Sequence, residues 1–162
     1  MAGLISIIAQ IAVVLLMIWV AWHDARHFKI RNTVVLALLV LYLPVEGVLG
    51  FQHLQGDLFA GALLFMVGFI MWMLRALGGG DAKLMLPLGM HLGFDGLMPF
   101  AMLLMVMSVL LYLGIVLSRV MGAERGIGGW MAGMKETGKV PYGVLLAIAS
   151  VPVLILNIFM IA

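Results

Sequence analysis

The sequence predicts an all-α integral membrane protein, a polytopic bundle of about six transmembrane helices forming one domain over residues 1–162, and three observations predict it. Of the 162 residues, 65% are hydrophobic and 10% charged, and the mean hydropathy is +1.25, far from the composition of a soluble globular domain. The apolar residues come in runs close to the roughly 20 residues that a spanning helix needs. Polar residues and glycines collect between those runs, and six spans leave room only for short loops. The chain contains no cysteine, which excludes a disulfide framework, a thiolate zinc site and a cysteine nucleophile together. A net charge of +2, carried by basic residues scattered between apolar runs, excludes a nucleic-acid-binding face.

Each element follows in chain order. Residues 3–22 are uncharged and form span one, and the polar stretch 23–32 forms its loop. A secretory signal begins with basic residues and ends at a small-residue cleavage site; neither is present, so span one is expected to remain as a permanent helix. Residues 33–50 form span two, interrupted by Pro44 and Glu46. Span three covers 57–77 and runs into Gly78, Gly79 and Gly80. Span four, 82–92, is short and contains Pro87, and 93–96 separates it from span five over 97–117. After a polar, glycine-rich stretch, 118–139, residues 141–162 form span six.

Charge placement supports this layout, because cytoplasmic loops are enriched in Lys and Arg. All nine basic residues fall in three places: Arg26, Lys29 and Arg31; Arg75 and Lys83; and Arg119, Arg125, Lys135 and Lys139. Six alternating spans put those three places on one side, while Glu46, Asp57 and Asp95 lie on the other. Both termini are therefore expected outside and the basic loops in the cytoplasm. Asp24, at the end of span one, and Asp81, at the start of span four, then sit at the same depth of the same face.

Ionisable groups at the edge of a span are functional-site candidates. Two carboxylates a few ångströms apart share one proton, giving an acid and a base poised around a water, the arrangement that hydrolyses amides. The alternative is that each Asp only neutralises neighbouring Arg or Lys at a helix end. Around Asp81 stands Gly78-Gly79-Gly80-Asp81-Ala82-Lys83-Leu84. Three glycines disfavour helix and remove every side chain, so a substrate backbone could approach as an extended strand; a plain interfacial turn is the competing account. The G-x-x-x-x-G-K-[ST] phosphate loop is absent.

These residues carry a resemblance. Gly78-x-Gly80-Asp81 followed by Lys83-Leu84 resembles the G-x-G-D signature of the membrane aspartic proteases that process type IV prepilins. Asp24 followed by Ile30-x-Asn32 resembles that family's first motif, an Asp with Ile-Pro-Asn several residues on, with Arg31 where proline is usual. Lys139-Val140-Pro141-Tyr142-Gly143 resembles the family's Pro-aromatic-Gly start of the last span. The resemblance implies that Asp24 and Asp81 are the catalytic pair. It implies as substrate a prepilin or pseudopilin with an N-terminal basic leader and a hydrophobic helix, cut at the cytoplasmic face of a bacterial inner membrane. Ile30, Asn32, Lys83, Lys139, Pro141 and Gly143 would support the site. Longer family members have a cysteine-bearing insert and an amino-methyltransferase activity; this chain resembles the short form associated with tight-adherence (Flp) pili. An acid pair needs no cofactor or metal, so chelator is expected to be without effect.

Other residues suggest rival chemistry. His23-Asp24-Ala25-Arg26-His27 places two His at i and i+4 around an acid, as in the zinc motif H-E-x-x-H. Otherwise His23 and His27 are interfacial polar groups, and His53 and His91 sit near the opposite face without visible partners. No serine lies in G-x-S-x-G or beside a His. Positive-inside placement accounts for Lys83 and Lys139 without a catalytic role. The 15 Met residues read as lipid-facing or core filler. Trp22, Trp72 and Trp130 are expected as interfacial anchors, and Glu46 with Pro44 as a helix end. A non-enzymatic assembly or transport subunit would need acids at several depths as stepping stones, and the predicted acids stand at the edges.

Overall fold

The computed structural model describes residues 2–48, 50–120 and 141–161. Among them there are helices and no strand. Helix α1 is Ala2–His27, α2 is Asn32–Gly47 and α3 is Leu54–Met73. The next element, Gly79–Val120, breaks at Gly93 (φ 68°, ψ 173°) into α4, 79–92, and α5, 94–120. Helix α6 is Tyr142–Ile161. Four stretches are long and apolar enough to cross a membrane: Gly3–His27, Leu54–Met73, Gly79–Leu117 counted whole, and Tyr142–Met160. Helix α2 is apolar but shorter. The chain is an all-α membrane protein.

Several boundaries differ from the hydropathy reading, for a common reason: hydropathy marks where lipid contact ends, and backbone hydrogen bonding marks where a helix ends. Helix α1 continues through the polar residues to His27, so Asp24 stands on its last turns rather than in a loop. Helix α2 passes through Pro44 and ends at Gly47. Helix α3 ends before the apolar run does, because Arg75 is left-handed (φ 60°) and the Ala76 amide closes back on the Met71 carbonyl. Gly79 and Gly80 belong to the first turn of α4. The separator between spans four and five is Gly93 alone, and Gly96 is helical.

Helix α1 packs on α2 and α6, and α3 packs on the 79–120 segment, which also meets α2 and α6. The core runs through Met17, Leu38, Leu84, Leu88 and Phe100, while Leu4, Ile8, Leu15 and Phe59 face outwards. Without a water-driven apolar effect between helices in lipid, close contact depends on small residues. Helices α3 and α4 meet this way: a Cβ on Gly89 would lie 2.7 Å from the Ala60 carbonyl oxygen and 2.7 Å from Gly61 Cα. The kink at Gly93 frees carbonyls that lipid cannot satisfy. Asn157 of α6 donates its amide to the carbonyls of His91 and Leu92, both at 3.3 Å, and so ties α6 to the break.

Candidate functional site

Asp24 is buried, 4% exposed, and faces the start of α6. The Gly143 amide donates to Asp24 Oδ2 at 2.9 Å, and the Val144 amide also reaches the carboxylate. The first amides of a helix lack intrahelical partners and favour an anion, so a side chain of α1 caps α6. Gly143 is required for this approach: a Cβ there would lie 2.8 Å from Oδ2 and 2.9 Å from Cγ of Asp24. Pro141, fully buried, precedes the contact.

Asp81 stands in the first turn of α4 and is 9% exposed. It accepts the Gly78 amide, and its charge and that of Asp24 act on each other. Among the described residues, Asp81 Oδ1 is buried with no hydrogen-bond partner. Each of the three glycines has its own steric reason. A Cβ on Gly78 would lie 2.6 Å from Asp81 Oδ2; one on Gly79 would lie 3.2 Å from Trp72 Nε1; one on Gly80 would lie 3.2 Å from Ile30 Cβ. The run is therefore a tightly packed helix start, rather than the open extended edge suggested by its composition. Ile30 from the α1–α2 loop rests on Gly80, so the first and second motifs touch directly.

The other predicted supporting residues divide. Asn32, the first residue of α2, and Lys83 are exposed. Two positions on from Asp81 along a helix, Lys83 faces a different side. Arg31, where proline is usual, has φ −82° and ψ 139°, a backbone shape close to the one proline imposes; the substitution keeps the bend without the ring. Lys139 lies outside the described residues, as do Arg125, Trp130 and Lys135.

The rival metal cluster does not assemble. The rings of Trp19, His23 and His27 form a stack along α1, with centroids 4.8 and 4.3 Å apart, and His27 Nδ1 donates to the His23 carbonyl at 3.1 Å. Stacked imidazoles direct their nitrogen lone pairs along parallel lines rather than to one point. Asp24 meanwhile is turned to α6, and among the described residues no group of three His, Cys, Asp or Glu converges. Trp22 is exposed and stacks under Arg26, with the guanidinium 4.3 Å from the ring centroid. Trp72 is exposed but also packs on Gly79, a role beyond anchoring.

Sequence reasoning missed a second group of buried polar residues at the other end. Tyr42 donates its hydroxyl to Asp57 Oδ2 at 2.7 Å, and Asp57 and Glu46 are 6% and 8% exposed. His91 and His53 are not without partners: His91 Nε2 donates to the Leu38 carbonyl at 2.9 Å, and His53 Nδ1 lies 3.9 Å from Glu46 Oε2. The signal available beforehand was the pair of acids flanking one short loop, Glu46 and Asp57.

Fold and site together define a polytopic helical membrane protein with two buried, electrostatically linked carboxylates at one end of its bundle. A sequence model of the type IV leader peptidase family matches residues 11–122. The chain belongs to that family and is a peptidase. The match spans both Asp24 and Asp81 and stops before the Pro141-Tyr142-Gly143 motif that the structure joins to Asp24. No curated protein and no solved structure matches the chain.

Proposed function

We propose that the chain is an aspartic endopeptidase that removes the short basic leader from a type IV prepilin or pseudopilin of the Flp type, at the cytoplasmic face of a bacterial inner membrane. One observation carries the reading: α1 and α4, distant in sequence, bring two buried carboxylates within electrostatic reach, and one of them has an unpartnered oxygen. One carboxylate takes the proton of a water as its oxygen attacks the scissile carbonyl carbon. The other protonates the carbonyl oxygen, and the C–N bond then breaks as the proton passes to the leaving nitrogen. Gly143, Pro141, Gly78 and Ile30 position these acids without touching substrate. Arg26, Lys29, Arg31, Arg75 and Lys83 sit at the same end and are exposed, which supports a cytoplasmic location for it; six crossings with both termini outside belong to the same proposal. Only residues 28–31 join α1 to α2, so the proposal extends to peptide cleavage and not to amino-methyl transfer.

The test is co-expression with a Flp-type prepilin, with leader removal followed by gel shift. Asp24→Asn and Asp81→Asn each should lower cleavage at least about a hundredfold in protein that still folds, while His23→Ala and chelator leave it unchanged. Cleavage surviving in one Asp variant removes that residue from the mechanism. Loss of cleavage in His23→Ala or with chelator transfers the chemistry to a metal.

A further inference from the structure

Gly78, Gly79 and Gly80 leave the start of α4 with little strength of its own, because glycine is the poorest helix former after proline, and yet this turn carries Asp81. Within it, the Ala82 amide donates to the Gly78 carbonyl at 3.1 Å, and the Asp81 carboxylate accepts the Gly78 amide. Two side chains lie against it from outside. Ile30 rests on Gly80. Trp72, on the last turn of α3, covers Gly79: a Cβ there would lie 3.2, 3.5 and 3.8 Å from Nε1, Cδ1 and Cε2 of the indole, the three nearest atoms.

The α3–α4 seam sets the place of that ring. Gly61, Gly68 and Trp72 follow one another at seven and four residues, on one face of α3, and meet α4 in antiparallel register: a Cβ on Gly61 would lie 2.8 Å from the Leu86 carbonyl oxygen, and one on Gly68 would lie 3.2 Å from Ala82 Cα. Backbones approach closely along the seam as far as its end, where a large ring stands over a glycine. Phe69 backs the ring, with centroids 5.5 Å apart, and the Arg75 amide donates to the Trp72 carbonyl at 2.9 Å as the chain turns towards α4. An interfacial anchor needs only an exposed face; Trp72 is 47% exposed, and its covered face lies on the turn that carries Asp81. We propose that Trp72 is a positioning residue for Asp81: its indole clamps the glycine turn and so keeps the carboxylate within electrostatic reach of Asp24. The consequence for cleavage rests on the peptidase reading, and the clamping of the turn does not.

Amide hydrogen exchange of the purified full chain in detergent tests the clamp, and kinetics of leader cleavage on a Flp-type prepilin test its consequence. In Trp72→Leu, exchange at 78–82 should rise at least about fivefold while exchange at 145–155 of α6 stays within about twofold of wild type. Trp72→Phe keeps a smaller ring and serves if Trp72→Leu fails to fold; it should raise the same exchange at least about twofold. Unchanged exchange at 78–82, or an equal rise in every helix, overturns the proposal whether or not the wild type cleaves. In a wild type that cleaves, Trp72→Leu should lower kcat at least about tenfold and leave KM within about threefold. Gly79→Ala stiffens the turn but meets the indole, so it should lower kcat about threefold in the wild type and raise it about threefold in Trp72→Leu. A membrane anchor alone gives no such reversal. An unchanged kcat in Trp72→Leu, or the same effect of Gly79→Ala in both backgrounds, overturns the proposal. Absence of cleavage by the wild type removes the peptidase reading instead, and the exchange result then decides the clamp.

Discussion

At one end of the bundle Asp24 is held by backbone amides at the start of α6, and at the other Asp57 is held by the side-chain hydroxyl of Tyr42. Amide donors are present at every residue except proline, so the first arrangement is controlled mainly by what stands in the way of approach. Gly143 controls it by having no Cβ. A hydroxyl donor is itself a side chain, so the second arrangement is controlled by one residue type. The two ends also differ in which buried oxygens lack a hydrogen-bond partner among the described residues: Asp81 Oδ1 at the first, Gln10 Oε1 and Glu46 Oε2 at the second. Similar burial of acids thus takes two forms, a pair linked by charge at one end and a carboxylate held by a tyrosine hydroxyl at the other.

Substitutions that respect this division sharpen it, and the largest effect is expected at the backbone-held end. Gly143→Ala forces the Asp24 carboxylate off the α6 amides, and leader cleavage should fall at least about tenfold, since a small displacement of a positioned group costs up to a hundredfold. Near-normal cleavage would show that the α6 contact does not position Asp24. At the other end, Tyr42→Phe leaves a buried oxygen of Asp57 without its donor and should lower stability in thermal unfolding by about 1–3 kcal/mol, with cleavage kept. Loss of cleavage in folded Tyr42→Phe would break the separation of the two ends. The smallest effect belongs to Arg31→Pro. The backbone already has a shape close to proline's, so the melting temperature should hold or rise, by up to about 1 kcal/mol of stability, and cleavage should persist.

The helical membrane class was legible from composition, and so was the placement of Asp24 and Asp81 at one end, because both depend on the order of apolar runs and basic loops. The three motifs were legible as strings. Their contacts were not: Ile30 against Gly80 and Asp24 against Gly143 join residues far apart in sequence, and nothing local in either partner names the other. Hydropathy ends a helix too early where polar residues continue it, as at His23 to His27, since their hydrogen bonds and ring stacking persist beyond the apolar run. A hydropathy profile records Glu46 and Asp57 as polar and so places them at an edge. It cannot show that Tyr42 and the α2–α3 turn draw them inside.

The bond between Asp24 and Gly143 spans 119 residues of chain, which gives the molecule a timetable. At 5–20 residues per second of synthesis, Asp24 leaves the ribosome roughly 6 to 24 s ahead of the amides that hold it. During that interval α1 is already made while its carboxylate waits for α6, so the Asp24 side of the site is assembled only once the start of α6 has been made.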